Sequence, residues 1–292
     1  MYQTHFNMVS APFGLTPNTQ LFHALPPHLE AIETTLSALR MGEGIIQIAG
    51  EVGTGKTLVC RMLINRLPAH MDLAYLPTPA SSGQALRLAL ARELGLACAD
   101  ESGAEAAGIA LHDEARLIEQ LQQTLLQRKA AGRAVVVMID EAQALPDDAL
   151  EAIRLLGNLE TEQDKLLHIV LFAQPELDSR LAQHHLRQFR QRITFRSALR
   201  PLTLEETVAY IEHRLAKSGC YQPLFDVALY KAIWQASQGI PRLINQLCHK
   251  ALLATCSDRQ NEANRVAVLM AIRDTVGARQ PRWTYPVLWG WQ

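Results

Sequence analysis

The sequence lacks three features that would restrict the possible functions of the protein: a large net charge, closely spaced pairs of cysteines and long apolar runs. Its 292 residues are 20% charged and 48% hydrophobic with a formal net charge of −1, which excludes a disordered chain and binding to nucleic acid through overall charge. The five cysteines form no C-x-x-C pair, which argues against a disulfide framework or zinc ribbon. No apolar run approaches the ~20 residues that span a bilayer, and no signal-peptide pattern opens the chain. We therefore expect a cytoplasmic protein without a membrane span of its own.

Strand-like and helix-like segments alternate along most of the chain. Apolar runs rich in β-branched residues predict the strands "GIIQIAG", "DLAYLP", "AVVVMID", "LLHIVLFAQ" and "RITFRS". Because these runs are continuous and lie between helical segments, they predict a parallel sheet covered on both faces. After Pro201 the strands stop, and Thr203 with Glu206 forms a capping-box pattern before apolar residues at helical spacing, Leu204, Val208, Ile211 and Leu215. The predicted fold class is α/β, with a small helical bundle after a boundary near Arg200.

The segment "GEVGTGKTL", residues 50–58, follows the first predicted strand and precedes a predicted helix. It matches the P-loop pattern, in which backbone N–H groups wrap phosphates, the lysine reaches the β- and γ-phosphates and the threonine hydroxyl binds Mg²⁺. Glycines let the backbone approach the phosphates closely. We therefore predict a nucleoside triphosphate site formed by Gly50, Glu51, Val52, Gly53, Thr54, Gly55, Lys56, Thr57 and Leu58.

The segment "VVVMIDEAQ", residues 135–143, predicts a buried strand that ends in two carboxylates. The carboxylate of Asp140 would bind in the water shell of the metal. The carboxylate of Glu141 would orient and polarise the water that attacks the γ-phosphate. A strand that ends in Asp-Glu is, taken alone, more often a solvated strand end, but the upstream P-loop favours a Walker B segment. Glu141 favours hydrolysis over binding alone, and the absence of an N-K-x-D-type sequence favours ATP over GTP. The predicted cofactors are ATP and Mg²⁺, with Thr57 and Asp140 on the metal.

Three further predictions concern side chains near the γ-phosphate. Gln174 ends a predicted strand, where its amide would hold the attacking water or contact the γ-phosphate; the alternative is a hydrogen bond to its own loop only. Six arginines between residues 180 and 200 include candidates for an arginine finger, although a solvated helix face accounts for most of them. Arg242 begins a helix, where the helix dipole disfavours a positive charge. This position favours a role facing the nucleotide over an ordinary surface position.

Together these motifs resemble a known family. The order of "GEVGTGKT", "VVVMIDEAQ", "AQPEL", "LRQFRQRI" and "GIPRLIN", after "APFGLTPNTQLFHALPPHLEAI", is similar to the AAA+ ATPases of the general secretion pathway protein A (ExeA) type. Within that group it is most similar to the branch that serves MSHA pilus biogenesis. The resemblance extends from about Phe6 to Thr275.

The resemblance implies a P-loop AAA+ fold with a nucleotide held between the α/β domain and a helical lid. It implies an N-terminal segment on the nucleotide site (1–40), the α/β domain (41–200) and the lid (201–276). The last segment has two prolines, three of the four tryptophans and no periodicity, which predicts an extended tail (277–292). The resemblance further implies Lys56 and Thr57 on phosphates and Mg²⁺, Asp140 on the metal, Glu141 as catalytic base, Gln174 in the sensor position and Arg242 as the lid arginine. A homo-oligomer is implied as well, with Arg190 and Arg192 as candidates for the finger.

Two departures accompany the resemblance. The sensor position of wider AAA+ proteins commonly carries asparagine, which puts water positioning by Gln174 in doubt. Longer members of the group continue into a membrane span and a peptidoglycan-binding region, whereas this chain stops after its tail, so we expect a partner to connect it to the envelope.

The resemblance implies an ATPase that supports assembly of a type IV pilus or related secretion machine at the cytoplasmic side of the bacterial inner membrane. Its partners would be inner-membrane assembly proteins. One alternative is a DNA-binding ATPase with phosphate contacts in residues 180–200, against which net charge near zero and the lack of interleaved aromatics weigh. Another is a scaffold that binds ATP without hydrolysis, against which Glu141 argues. The tail tryptophans, Trp283, Trp289 and Trp291, indicate either a docking peptide for an envelope partner or packing on the protein's own surface.

Overall fold

The computed structural model describes residues 2–16, 18–96, 114–160, 164–284 and 287–288. The described residues do not include Cys98, Trp289, Trp291 or the side chain of Trp283. The predictions for the tail tryptophans therefore lie outside the described residues. The chain forms two compact units, which are described separately. The first unit comprises Met1–Leu29, Val52–Leu58 and Leu199–Gln292, and the second comprises Glu30–Glu51 and Val59–Ala198.

A five-stranded sheet forms the centre of the second unit. In the spatial order β2-β3-β4-β1-β5, its strands are β1 (Ile45–Gly50), β2 (Met71–Leu76), β3 (Ala134–Ile139), β4 (Leu167–Ala173) and β5 (Ile193–Leu199). Strand β1 pairs in parallel with β4, β2 with β3, and β3 with β4. The five predicted strands and the α/β fold class are confirmed.

Burial explains which strands have the continuous apolar pattern. Every residue of β4 is buried, and β1 and β3 each have a single half-buried residue, since helices cover both faces of a parallel sheet. Strand β5 differs, because exposed and half-buried residues alternate along it. It lies at one end of the sheet, where one edge and part of a face meet solvent.

The helices between residues 83 and 192 share one hydrophobic core with the sheet, which includes Leu90, Leu121, Ile153, Leu171 and Phe189. Helices α2 and α3 cross from the first unit into the second. The helices, in chain order, are α2 (Pro26–Arg40), α3 (Lys56–Ile64), α4 (Gly83–Glu93), α5 (Glu114–Ala130), α6 (Asp147–Leu156), α7 (Glu176–Leu181) and α8 (Arg187–Arg192).

The first unit is mainly helical and has its own core, which includes Phe6, Ile211, Leu224, Ile233 and Leu247. The predicted capping box is present, because the Glu206 N–H donates to Thr203 Oγ1 and the Thr203 N–H donates to Glu206 Oε2. Its elements are α1 (Tyr2–His5), α9 (Leu204–Lys217), α10 (Val227–Ser237), α11 (Pro241–Ser257), α12 (Arg265–Arg273) and the antiparallel pair β6 (Trp283–Thr284) and β7 (Val287–Leu288).

The buried face of α9 differs from the apolar spacing in the sequence. Leu204 and Val208 are only half-buried, whereas Arg214 is buried and 6% exposed. Arg214 donates to the Pro12 carbonyl, to Tyr210 Oη at 2.8 Å and to the Gly14 carbonyl at 3.4 Å. These acceptors make burial of a guanidinium tolerable and fix residues 12–14 against the helix.

No helix in the described part of the chain combines the length and the apolar character that crossing a membrane requires.

Candidate nucleotide-binding and hydrolysis site

The carboxyl ends of three neighbouring strands bring the predicted Walker and sensor residues of the second unit to one edge of the sheet. Ala49 pairs with Ala173, and Ile139 pairs with Leu171. Gly50, Asp140 and Gln174 therefore emerge at the same edge, where parallel α/β sheets bind their ligands.

The P-loop leads from β1 into α3, which begins at Lys56. Gly53 and Gly55 have φ angles of +86° and +103°, a region that glycine adopts without steric cost. A Cβ added to Gly53 would lie 2.6 Å from Arg242 Cβ. Thr54 and Lys56 are buried, at 1% and 6% exposure. The loop is therefore closely packed in a conformation that only its glycines permit.

Groups distant in sequence bind two successive carbonyls of the P-loop. The Arg242 N–H, in the first turn of α11, donates to the Gly53 carbonyl at 3.1 Å. Nε2 of His28 lies 2.9 Å from the Thr54 carbonyl oxygen. The predicted lid arginine therefore contacts the loop through its backbone, and its side chain is exposed.

The turn after β3 places two carboxylates with different surroundings. Asp140 is buried (4% exposed), and its Oδ1 accepts the Glu141 N–H at 2.9 Å. Glu141 is half-buried and has φ 53° and ψ 37°, the left-handed region that costs a non-glycine residue free energy. Such strain at a predicted catalytic residue is typical of functional sites.

A pair of glutamines holds one oxygen of the Glu141 carboxylate. Gln143 Nε2 donates to Glu141 Oε2 at 2.5 Å, and Gln174 Nε2 donates to the same oxygen at 3.1 Å. The Gln174 N–H donates to Gln143 Oε1 at 3.0 Å. Because a backbone N–H must face an acceptor, this last bond fixes the amide orientation of Gln143. No described residue donates to Oε1 of Glu141, which leaves that oxygen for water.

Two further side chains near Asp140 carry no charge. Burial, followed by the charge of Asp140, raises the pKa of the Cys60 thiol to about 12. Burial also raises the pKa of Tyr75 to about 12, with Cys60 and Asp140 adding to the effect. Both groups stay protonated at neutral pH, so the acidic chemistry of this edge comes from the carboxylates.

Comparison with known proteins agrees with this geometry. Residues 39–181 match the family model described as an AAA domain. The fold is that of a P-loop AAA ATPase. The chain is 35% identical over 306 aligned positions to general secretion pathway protein A of Aeromonas hydrophila, which covers 100% of this chain and 54% of that protein. The chain thus spans about half the length of the curated relative that it matches.

Solved structures share the AAA fold at low identity. Cdc6p from Pyrobaculum aerophilum superimposes with a TM-score of 0.65 at 17% identity, over 99% of this chain and 72% of that one. The ORC1 protein of Aeropyrum pernix, in complex with DNA, gives a TM-score of 0.61 at 17% identity, over 90% of this chain and 69% of that one. At such identities the likeness shows the fold alone.

The arginines predicted to include a finger divide into bound and exposed groups. Arg180 donates to the carbonyls of Gln143 and Leu145 and to Asp147 Oδ1, at 2.8, 2.8 and 2.6 Å, so it holds the turn that follows Glu141. Arg196 pairs with Asp178 and Arg200 with Glu206. Three exposed arginines of α8 have side chains that form no hydrogen bond and no close ion pair with any described residue: Arg187, Arg190 and Arg192. The charge of Arg192 nevertheless contributes to lowering the pKa of Glu160.

The chain fits the nucleotide that an AAA ATPase implies. The P-loop ends at the start of α3, and the N-terminus of a helix attracts phosphate. No side chain other than hydrogen is tolerated at Gly53. Within the described ranges, no group of three or more His, Cys, Asp or Glu residues could hold a metal by itself. A Mg²⁺ ion would therefore need oxygens from the nucleotide as well, as is usual for this metal.

The contacts of three residues were not predicted from the sequence: His28 with Thr54, Gln143 with Glu141, and Arg180 with the turn that follows Glu141. Gln143 closes the segment "VVVMIDEAQ", and its position two residues after Glu141 was the available signal. His28 lies 26 residues before Thr54, in the N-terminal segment that carries part of the family resemblance. No local pattern reveals such a contact.

Proposed function

We propose that this AAA ATPase supports assembly of a secretion machine, in particular a type IV pilus of the MSHA kind, at the cytoplasmic side of a bacterial inner membrane. The 35% identity to general secretion pathway protein A over the full chain supports the secretion role. The chain would work as a homo-oligomer attached to the membrane through inner-membrane assembly proteins. One observation supports hydrolysis: two amides bind one oxygen of the Glu141 carboxylate, and the other oxygen is open.

In this proposal, residues 50–58 bind the triphosphate of ATP. Backbone N–H groups of Gly50, Glu51, Val52, Gly53, Thr54, Gly55 and Leu58 surround the phosphates, and Lys56 reaches the β- and γ-phosphates. Arg242 supports the loop through its N–H to Gly53 and extends an exposed guanidinium that responds to the nucleotide.

Thr57 and Asp140 are the proposed ligands of Mg²⁺. Their hydroxyl and carboxylate are the oxygen donors that this ion prefers. When bound, the ion would neutralise negative charge on the β- and γ-phosphates. Low exposure of Asp140 limits competition from bulk water for its carboxylate.

Glu141 is the proposed catalytic base. Its Oε2 is occupied by Gln143 and Gln174, so Oε1 is the oxygen that accepts the proton of the attacking water. Gln174 thereby acts as a sensor through the carboxylate, and the absence of asparagine at this position is compensated by its longer reach. Arg190 and Arg192 are exposed and are the proposed fingers that stabilise the γ-phosphate of a neighbouring subunit.

The test is ATP turnover by the wild type and by Glu141→Gln, over a range of protein concentrations and with and without DNA. We expect turnover per subunit to rise with concentration, to fall at least 100-fold in the variant and to be indifferent to DNA, while the variant still binds ATP. A wild type that binds ATP but shows no turnover at any concentration or with inner-membrane proteins of the pilus assembly would overturn the proposal.

The exposed arginines of α8 favour one second candidate, a DNA-binding ATPase. Arg187, Arg190 and Arg192 lie on one short helix without ion pairs to any described residue, and such a group can bind phosphates of a nucleic acid. Turnover that appears only with DNA, and that declines steeply with salt, would favour this candidate over the secretion ATPase.

A further inference from the structure

A side chain from the N-terminal segment holds the backbone of the P-loop. Nε2 of His28 lies 2.9 Å from the Thr54 carbonyl oxygen. Because a carbonyl oxygen only accepts hydrogen bonds, Nε2 carries the proton and donates. The ring is buried (6% exposed), and its Nδ1 has no partner among the described residues. The bond to Thr54 is thus the one polar contact of this ring within the described part of the chain.

Because the peptide bond between Thr54 and Gly55 is planar, the contact at the Thr54 carbonyl also determines the direction of the Gly55 N–H. In a trans peptide the C=O of one residue and the N–H of the next point in opposite directions. With the Thr54 carbonyl held towards His28, the Gly55 N–H points away from His28. This N–H has no acceptor among the residues that the structure describes. An N–H group of a P-loop in this state is a donor for a phosphate oxygen.

Packing keeps the contact in place. A Cβ added to Gly55 would lie 3.0 Å from His28 Nε2, so the loop and the ring are in close contact. The Phe22 ring meets the imidazole edge-on, with centroids 6.3 Å apart and an interplanar angle of 76°. His28 is also the third residue of α2, and a side chain on a helix is more precisely placed than one on a loop.

We propose that His28 is a positioning residue for phosphate binding: its Nε2–H holds the Thr54 carbonyl so that the Gly55 N–H is presented to a phosphate oxygen of ATP. This inference rests on the proposed binding of ATP by the P-loop. The N-terminal segment is then part of the nucleotide site through a backbone contact, and its displacement would lower the affinity for ATP without removing a group that touches ATP.

The test compares three substitutions of His28 that differ in where they place a donor. In His28→Gln the amide nitrogen occupies about the place of Nε2, whereas in His28→Asn it occupies about the place of Nδ1. In His28→Ala the donor is absent. Equilibrium binding of adenylyl imidodiphosphate and steady-state ATP turnover are measured for each. We expect the Kd and KM to rise about threefold to tenfold in His28→Ala and His28→Asn, to stay within about twofold in His28→Gln, and kcat to change little.

His168→Ala is the matched control. His168 is also buried (5% exposed), and its Nδ1 bonds the Glu43 carbonyl at 2.7 Å, so its removal should lower Tm without changing the Kd. Equal Kd values for wild type and His28→Ala, or equal weakening in all three His28 variants, would overturn the positioning role while leaving the ATPase intact. A wild type that binds no nucleotide would instead overturn the proposed function, and this inference with it.

Discussion

At the scale of single residues, Glu141 combines the proposed chemistry with the backbone strain of the site. Its left-handed conformation, with φ 53°, is unfavourable for a residue with a side chain, by roughly 1–2 kcal/mol. The contacts around it hold that conformation: Gln143 and Gln174 on the carboxylate, and Arg180 on the carbonyls of the turn. These hydrogen bonds therefore offset the strain and hold the carboxylate in one orientation.

The position of Gln143 leads to a prediction about turnover. In Gln143→Ala the carboxylate loses a donor at 2.5 Å and the Gln174 N–H loses its acceptor, so Glu141 should sample more orientations. We expect kcat to fall about 10- to 100-fold, with the Kd for ATP changed by less than about twofold, because Gln143 is not among the proposed phosphate ligands. Steady-state kinetics together with nucleotide binding measure the two effects.

Gln122→Ala serves as the control for Gln143→Ala, since Gln122 is an exposed glutamine of α5. It should behave as the wild type in both measurements. A Gln143→Ala variant with wild-type kcat would show that Gln174 alone is sufficient to orient Glu141. A variant with increased kcat would show that Gln143 restrains the carboxylate.

At the scale of elements, two glycines with similar backbone conformations, Gly53 of the P-loop and Gly42, differ in how closely other atoms surround them. Gly53 and Gly42 have similar φ angles, +86° and +80°, but an added Cβ at Gly53 would lie 2.6 Å from Arg242 Cβ whereas at Gly42 nothing lies within 4 Å. We expect Gly42→Ala to lower the free energy of unfolding by roughly 1 kcal/mol through backbone strain alone, with normal ATP binding.

We expect Gly53→Ala to abolish detectable ATP binding, because the loop must move away from α11 and lose the bond from the Arg242 N–H. Urea unfolding and nucleotide binding for both variants check these outcomes. If Gly53→Ala and Gly42→Ala lose the same stability and both bind ATP normally, then the close contact with Arg242 is not needed for the phosphate site.

The element scale also shows how much of the fold the sequence could predict. The three central strands, β1, β3 and β4, were predictable because their residues are buried on both faces. The capping box of α9 was predictable because its contacts are local. The buried face of α9 was not, because Arg214 is stabilised there by carbonyls of Pro12 and Gly14, 200 or more residues away in the chain. The spacing of apolar residues along a helix does not indicate such distant acceptors.

The candidate site follows the same division between local and distant contacts. The P-loop and the Asp140-Glu141 pair are contiguous patterns with a known chemistry, so the sequence was sufficient to select them. The contacts of Gln174 with Glu141 and of His28 with Thr54 join residues 33 and 26 positions apart. Their partners depend on strand order and helix placement, which a single sequence does not contain. Whether Arg190 or Arg192 acts as a finger stays a prediction, since one chain alone cannot show a contact with its neighbour.

At the scale of the whole molecule, the histidines predict how stability depends on pH. Burial is the main cause that lowers the pKa of five of them, His23, His28, His168, His213 and His249. In the unfolded chain these residues titrate near 6.5. As the pH falls below about 6.5, the unfolded chain therefore takes up protons that the folded chain does not. The free energy of unfolding should fall by up to about 1.4 kcal/mol per pH unit for each of the two deeply buried histidines, His28 and His168, that stays neutral. The more exposed His23, His213 and His249 contribute less, because solvent screens their charge.

The carboxylates act in a separate pH range. Hydrogen bonds from Arg133, His185, Arg154, Lys165 and Arg200 are the leading causes that lower the pKa of Asp72, Asp147, Glu151, Glu160 and Glu206 respectively. Their stabilisation is lost only as the pH falls below about 4, and most of these pairs are exposed and weak. Loss of stability between pH 6.5 and 5 should therefore come from the histidines.

Urea unfolding at pH 7.5, 6.5, 5.5 and 5.0 checks this dependence, with His168→Gln as the variant that removes one buried titrating group. His168 faces Lys129 and Asp164, whose charges oppose each other in their effect on its pKa, so burial decides the sign. The variant should be less stable than the wild type at pH 7.5 because it loses a fitted buried ring, but its stability should fall less steeply on acidification. Parallel curves for the two proteins would mean that His168 takes up its proton in the folded state, and the acid sensitivity would then belong to the four other histidines.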